Sequence, residues 1–159
     1  MKKLAALFFS LFFVFGIAGC SQAQLEISDS WVRSSDMSGE GGMTGMFMEI
    51  SNPGSESITL VGGSSDAGMV EIHETVMGDD GMQMQEIDAG IEIAAGSSVI
   101  LQPGGLHVML MNLSEGVEAG DEITVDLEFD GHPNVSVTAV AKPSEAGDEE
   151  YHSDMDSME

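Results

Sequence analysis

The chain has 159 residues and sets 28 acidic side chains against only four Lys and Arg. That surplus of negative charge excludes nucleic acid and anionic lipid surfaces as partners and would draw cations toward the protein. A single cysteine excludes an intrachain disulfide and any multi-thiolate metal centre.

Met1-Lys2-Lys3 is a short basic segment, and the run from Leu4 to Ile17 is almost continuously apolar. It is short for a bilayer span, which needs about 20 residues, and its flanks are those of a secretory signal. The run closes on Ile17-Ala18-Gly19-Cys20, which resembles a bacterial lipobox. Residues 1–19 are therefore expected to be a lipoprotein signal peptide, with Cys20 lipidated and residues 20–24 a short linker. Several acyl chains on Cys20 would give lasting attachment to a membrane. The expected location is the cell envelope or periplasm, outside the cytoplasm. Removal of Lys2 and Lys3 leaves Arg33 and Lys142 against the 28 acids, a formal charge near −26.

From residue 25 the pattern is of short β-runs parted by turn residues, without helical periodicity. Strands are expected over 25–33, 45–51, 57–61 and 69–76, with Asn52-Pro53-Gly54 turning the second. A Gly/Ser-rich stretch divides the third from the fourth. Gly78-Asp79-Asp80-Gly81 reverses the chain into a strand over 82–87, followed by 91–94 and 97–101. Pro103-Gly104-Gly105 introduces the apolar run 106–113. In 122–129, Ile123, Val125, Leu127 and Phe129 share one face and acids the other, the alternation of a half-buried antiparallel strand. Val135, Val137 and Ala139 return after Asp130-Gly131-His132-Pro133. Eight to ten such strands predict an all-β domain over 25–142, a sandwich or barrel. Residues 143–159 carry seven acids with His152, Met155 and Met158 and little to bury, the composition of a disordered tail.

Methionine is abundant, 13 in all, and recurs in loops and Gly-rich segments where core packing does not call for it. Met37, Met43, Met46 and Met48 surround one such loop. Period two places Glu71, His73 and Thr75 on one face of their strand and Val70, Ile72 and Glu74 on the other. Met77, Met82 and Met84 lie around the reversal that folds back beside His73, and Met82 and Met84 share a face. Across the Pro-Gly-Gly turn, His107 and Met109 point the same way, roughly 7 Å apart by the rise per residue, and Met111 continues the series. By itself His73 reads as a solvated strand residue, and Met109 and Met111 as core. A core explanation does not account for thioethers recurring on the face that carries imidazole.

Neutral imidazole with thioether is a soft donor set suited to Cu(I), whereas Ca, Mg and Mn prefer oxygen and zinc takes thiolate, imidazole or carboxylate. The acids Glu71, Glu74, Asp79 and Asp80 are expected to be solvated or to support ligands rather than to be ligands. Residues 70–113 resemble the periplasmic copper chaperone family called PCuAC. Its hallmark is a His, ten residues, a Met, a little over twenty residues, then His-x-Met. Here ten residues separate His73 from Met84, twenty-two separate Met84 from His107, and His107-Val108-Met109 completes the pattern. His73-Glu74-Thr75-Val76-Met77 and Pro103-Gly104-Gly105-Leu106 also match, and the resemblance extends over roughly 25–141.

The resemblance implies a cupredoxin-like antiparallel Greek-key β-sandwich or barrel, with Cu(I) held by His73, Met84, His107 and Met109. It implies delivery to a copper-accepting partner, either the CuA centre of cytochrome c oxidase or another copper chaperone. Met77, Met82 and Met111 are candidate secondary donors, and His152, Met155 and Met158 candidate Cu(II) or shuttling donors in the tail. His132 reads as a plain turn residue. No nucleophile–base pair, phosphate loop or acid/base dyad is present, so an enzyme is not expected. Blue-copper electron transfer needs a thiolate, and Cys20 is committed to the anchor. The competing readings are copper storage or detoxification, and a structural or adhesion lipoprotein without metal.

Overall fold

A computed structural model describes residues 24–78 and 81–143, and no helix occurs among them. Ten strands run in chain order: β1 (Glu26–Arg33), β2 (Met43–Asn52), β3 (Ile58–Ser64), β4 (Met69–Gly78), β5 (Gly81–Glu86), β6 (Ile91–Ile93), β7 (Ser97–Leu101), β8 (Leu106–Met111), β9 (Glu122–Asp130) and β10 (Val135–Lys142). They form one sheet in the order β5-β4-β8-β2-β1-β10-β9-β3-β6. β2 is long enough for two partners: residues 43–46 pair with β8, and residues 48–52 pair with β7. Every pair is antiparallel except β1 with β10, which run side by side in parallel.

The alternation in β9 is the simplest case of sequence becoming structure. Val125, Leu127 and Phe129 are buried, while Glu122, Asp126 and Glu128 face water. β10 answers with Val137, Ala139 and Ala141. β8 and β2 contribute Val108, Leu110, Met46, Met48 and Ile50, β3 contributes Ile58 and Leu60, and together these make one continuous core. Met46 and Met48, which flank the Gly-rich loop in the sequence, are thus core residues. Non-neighbouring strands β3 and β4 come together at Gly63. A Cβ there would lie 2.9 Å from the Asp126 carbonyl and 3.1 Å from Val70 Cγ1. The sheet therefore wraps around its own apolar face, the barrel-like closure by which small all-β domains bury a core.

Two strands depart from their expected form for physical reasons. β3 runs on to Ser64 through Gly62 and Gly63, which read from composition as loop. At Gly63 a side chain is excluded because β9 and β4 approach too closely for a Cβ, whereas Gly62 has open space around it. In β1 the register slips between Ser28 and Trp31, with Asp29 in the left-handed region (φ 53°). This bulge switches the buried parity from Leu25 and Ile27 to Val32. It turns Trp31 and Arg33 onto the face opposite the core, where the candidate site lies. The expected signal peptide, Cys20, Asp79, Asp80 and nearly all of the tail, with His152, Met155 and Met158, lie outside the described residues.

Candidate metal centre

Residues directly opposite one another on paired strands share a face of the sheet. The register places His73 opposite His107, Glu71 opposite Met109, Thr75 opposite Met84 and Gly45 opposite Met109. All these residues therefore stand on the outer face of β5-β4-β8-β2, while Ile72, Val108 and Met46 fill the core beneath. The four residues singled out in the sequence come from three adjacent strands and meet on one patch. The patch is outside the core yet shielded: His107 is 2% exposed and Met109 4%.

The shielding comes from the segment between β1 and β2 and from the first residues of β2. Together with the sheet face they enclose a cavity of about 390 Å³ lined by Met84, His107 and Met109, with Met37, Met43 and Gly45 among the other walls. Gly45 matters because Phe47 lies across it: a Cβ at Gly45 would sit 2.7 Å from Phe47 Cζ. The Phe47 ring is in turn 4.5 Å from Trp31, centroid to centroid, and 6.2 Å from His107. The Arg33 guanidinium lies over it at 5.5 Å, a cation–π contact. An aromatic wall thus backs one side of the His107 ring. Phe47, Arg33 and the Gly45 gap carried no site signal in the sequence; they read as ordinary strand residues.

Hydrogen bonds fix the imidazoles. A carbonyl oxygen only accepts, so His107 Nδ1 must be the donor in its 2.9 Å contact with Gly105 O. The same carbonyl accepts from the Thr75 amide at 3.1 Å, which ties β4 to the turn carrying His107. With Nδ1 protonated, the lone pair of neutral His107 resides on Nε2. His73 shows the mirror arrangement. Its Nε2 donates to Glu71 Oε2 at 2.8 Å, so the lone pair falls on Nδ1, which is buried and makes no hydrogen bond. The two rings stand 6.0 Å apart at 45°. A donor nitrogen held in place by an outer hydrogen bond at its other ring position is the usual arrangement of a metal-binding histidine. Thr75 Oγ1 is likewise buried without a hydrogen bond, directly across from Met84.

Among the described residues, no three of His, Cys, Asp and Glu come together in a group that could hold a metal ion. Glu71 is engaged with His73 and Glu74 with Gln85, at 2.8 Å each. His73, Met84, His107 and Met109 share this face of the sheet, and of the four the cavity lining takes Met84, His107 and Met109 but not His73. Met77 and Met82 face one another on the same side of the β4–β5 hairpin but stand outside the cavity, 79% and 56% exposed. Met111 is half-buried between Met69 and Met43, its partners across the sheet. His132 bonds Pro133 O at 2.7 Å and meets the Phe129 ring, in the β9–β10 turn and away from the cavity lining.

Residues 25–141 match the family described as "Putative lipoprotein LpqE-like". The chain belongs to the LpqE-like family. A "Putative lipoprotein Lxx21020" from Leifsonia xyli is 37% identical over 128 residues, covering 80% of this chain and 75% of that protein. The fold of this LpqE-like chain is that of PCuAC domains, as the His/Met pattern implied. The copper-bound PCuAC domain from PmoF2 superposes with a TM-score of 0.63 at 22% identity, over 77% of this chain and 96% of that one. The Cu(I) form of DR1885 from Deinococcus radiodurans gives a TM-score of 0.51 at 24% identity, over 79% and 83%.

Proposed function

We propose that the chain is an extracytoplasmic copper carrier that holds Cu(I) with His73, Met84, His107 and Met109 and passes it to an acceptor protein. The observation that carries this reading is the cross-strand histidine pair. Glu71 and the Gly105 carbonyl leave one lone pair per neutral ring, and two thioethers stand on the same patch. Two imidazoles and two thioethers, without thiolate or carboxylate, select Cu(I) over zinc and over oxygen-loving cations. The copper-bound state of a structural neighbour supports the choice of metal. Copper is cargo in this reading, so the protein's work is ligand exchange, and nothing in the patch calls for catalysis.

The anchor at Cys20 belongs to the same reading, supported by the lipoprotein description of the family and of the Leifsonia relative. A tether outside the cytoplasm would keep the carrier close to membrane-bound acceptors. The CuA centre of cytochrome c oxidase is the proposed recipient. Anaerobic competition of the full chain against a Cu(I) chelator tests the site. One tight equivalent is expected, lost in both Met84→Ala and His107→Ala. Retention of tight binding in either variant would remove that residue from the ligand set. Transfer to an apo CuA domain, followed by the colour of the assembled centre, tests the recipient.

A further inference from the structure

Beyond the four proposed ligands, the same sheet face continues to the tip of the β4–β5 hairpin. There Met77 and Met82 are directly opposite one another. They are among the most exposed large apolar side chains of the described residues, 79% and 56% exposed, next to Thr75 and Met84 one step inward. Leaving two large apolar side chains in water on one hairpin gains nothing from burial. Cross-strand partners have Cβ atoms about 5 Å apart, and methionine's unbranched chain lets both sulfurs swing toward a common point. The Asp79-Asp80 pair lies between them in sequence, and the chain's net charge of −24 concentrates cations nearby.

We propose that Met77 and Met82 form a second, weaker Cu(I) site at the hairpin tip, a capture point from which the ion steps to Met84 and then to the shielded histidine pair. This rests on the copper-carrier reading. Residues two apart on a strand are separated by about 7 Å, so Met82 and Met84 are successive rungs on one face. The step exchanges neutral thioethers around an ion that stays Cu(I). No electron moves, and each sulfur that leaves is replaced by the next thioether inward and at last by the lone pairs of neutral imidazoles. Two donors bind more loosely than four, which is the order a relay needs. The shielding of His107 and Met109 supplies the reason for one, because an ion arriving from water or from a donor protein first meets the exposed thioethers.

The test is a Cu(I) titration of the full chain carrying methyl-labelled methionine, followed by NMR under argon, with Met77→Leu/Met82→Leu as the variant. Leucine keeps the apolar volume and removes the sulfurs. The Met84 and Met109 methyls are expected to move within the first equivalent, and those of Met77 and Met82 to shift progressively beyond it. The double variant is expected to keep the tight affinity while loading severalfold more slowly from a Cu(I) chelate. Met77 and Met82 methyls that stay still in excess copper, while Met84 and Met109 respond, would overturn the relay and leave the carrier reading intact. Unchanged loading in the double variant would likewise overturn it. Shifts at Met77 and Met82 without any at Met84 and Met109 would instead support the hairpin site and sink the four-ligand centre.

Discussion

At His73 the choice of donor nitrogen rests on Glu71, whose carboxylate accepts from Nε2 at 2.8 Å while Nδ1 is left buried. Such outer partners commonly contribute 10–100-fold to metal affinity. Glu71→Ala is therefore expected to weaken Cu(I) binding by about 10–100-fold through a ring that is free to turn. Glu71→Gln, which keeps an acceptor oxygen, should lose less, and chelator competition measures both. Equal affinity in Glu71→Ala and the parent chain would show that the contact does not position His73. The thioethers respond differently to conditions. They take up no proton at any ordinary pH, so acid should release copper only through the two imidazoles. Oxidation to sulfoxide converts the soft donor to a polar one. Exposed Met77 and Met82 should react ahead of buried Met109, as peptide mass mapping after graded peroxide would reveal.

At the scale of elements, the site is an outer-face patch that the strand between β4 and β2 brings into register. β8 carries Val108 and Leu110 into the core and His107 and Met109 outward, so one strand serves stability and chemistry on alternate residues. β2 contributes the Gly45 gap and Phe47. Gly45→Ala drives a Cβ to 2.7 Å from Phe47 Cζ, on a ring already confined by Trp31, Arg33 and His107. Overpacking of this kind costs about 1–3 kcal/mol, to be read in urea unfolding of the apoprotein. Phe47→Leu in the same chain should recover part of the loss, since it removes the crowded ring atoms. An unchanged midpoint in Gly45→Ala would mean that the ring yields freely and does not brace His107. The β1 bulge is the second element-level device. Without its extra residue, Trp31 would fall on the core face and the aromatic wall behind His107 would be lost.

For the whole molecule the dominant quantity is charge. On β9 alone, Asp126, Glu128 and Asp130 project outward at two-residue spacings, and the cross-strand partners of Asp126 are the uncharged Ser64 and Ser136. Neighbouring carboxylates about 7 Å apart interact within the Debye length of about 10 Å at 0.1 M salt. Raising salt should therefore raise the thermal midpoint of the apoprotein, and a falling midpoint across the same series would show that repulsion is not the limiting term. Copper acts through linkage. An ion bound by the folded chain alone stabilises it by about 2.7 kcal/mol at a free concentration of 100 Kd. That gain should vanish in Met84→Ala while the apoprotein midpoint changes little, because Met84 lies outside the core.

The sequence by itself determined most of the strands and, where alternation runs unbroken as in β4, β8 and β9, which side chains share a face, because a period of two is local. It determined the negative charge and the single cysteine, and with them the expectation of a metal that thioethers can hold. The meeting of His73 with His107 across 33 positions was legible only through the spacing of the family pattern. What only the tertiary structure decided is everything that depends on approach between distant strands. The carbonyl of Gly105 and the carboxylate of Glu71 select the donor nitrogens, the Gly45 gap admits Phe47, and the β1–β2 segment shelters His107. A hydrogen bond to a backbone oxygen leaves no mark in residue types, and a glycine looks alike whether it loosens a loop or makes room for a ring.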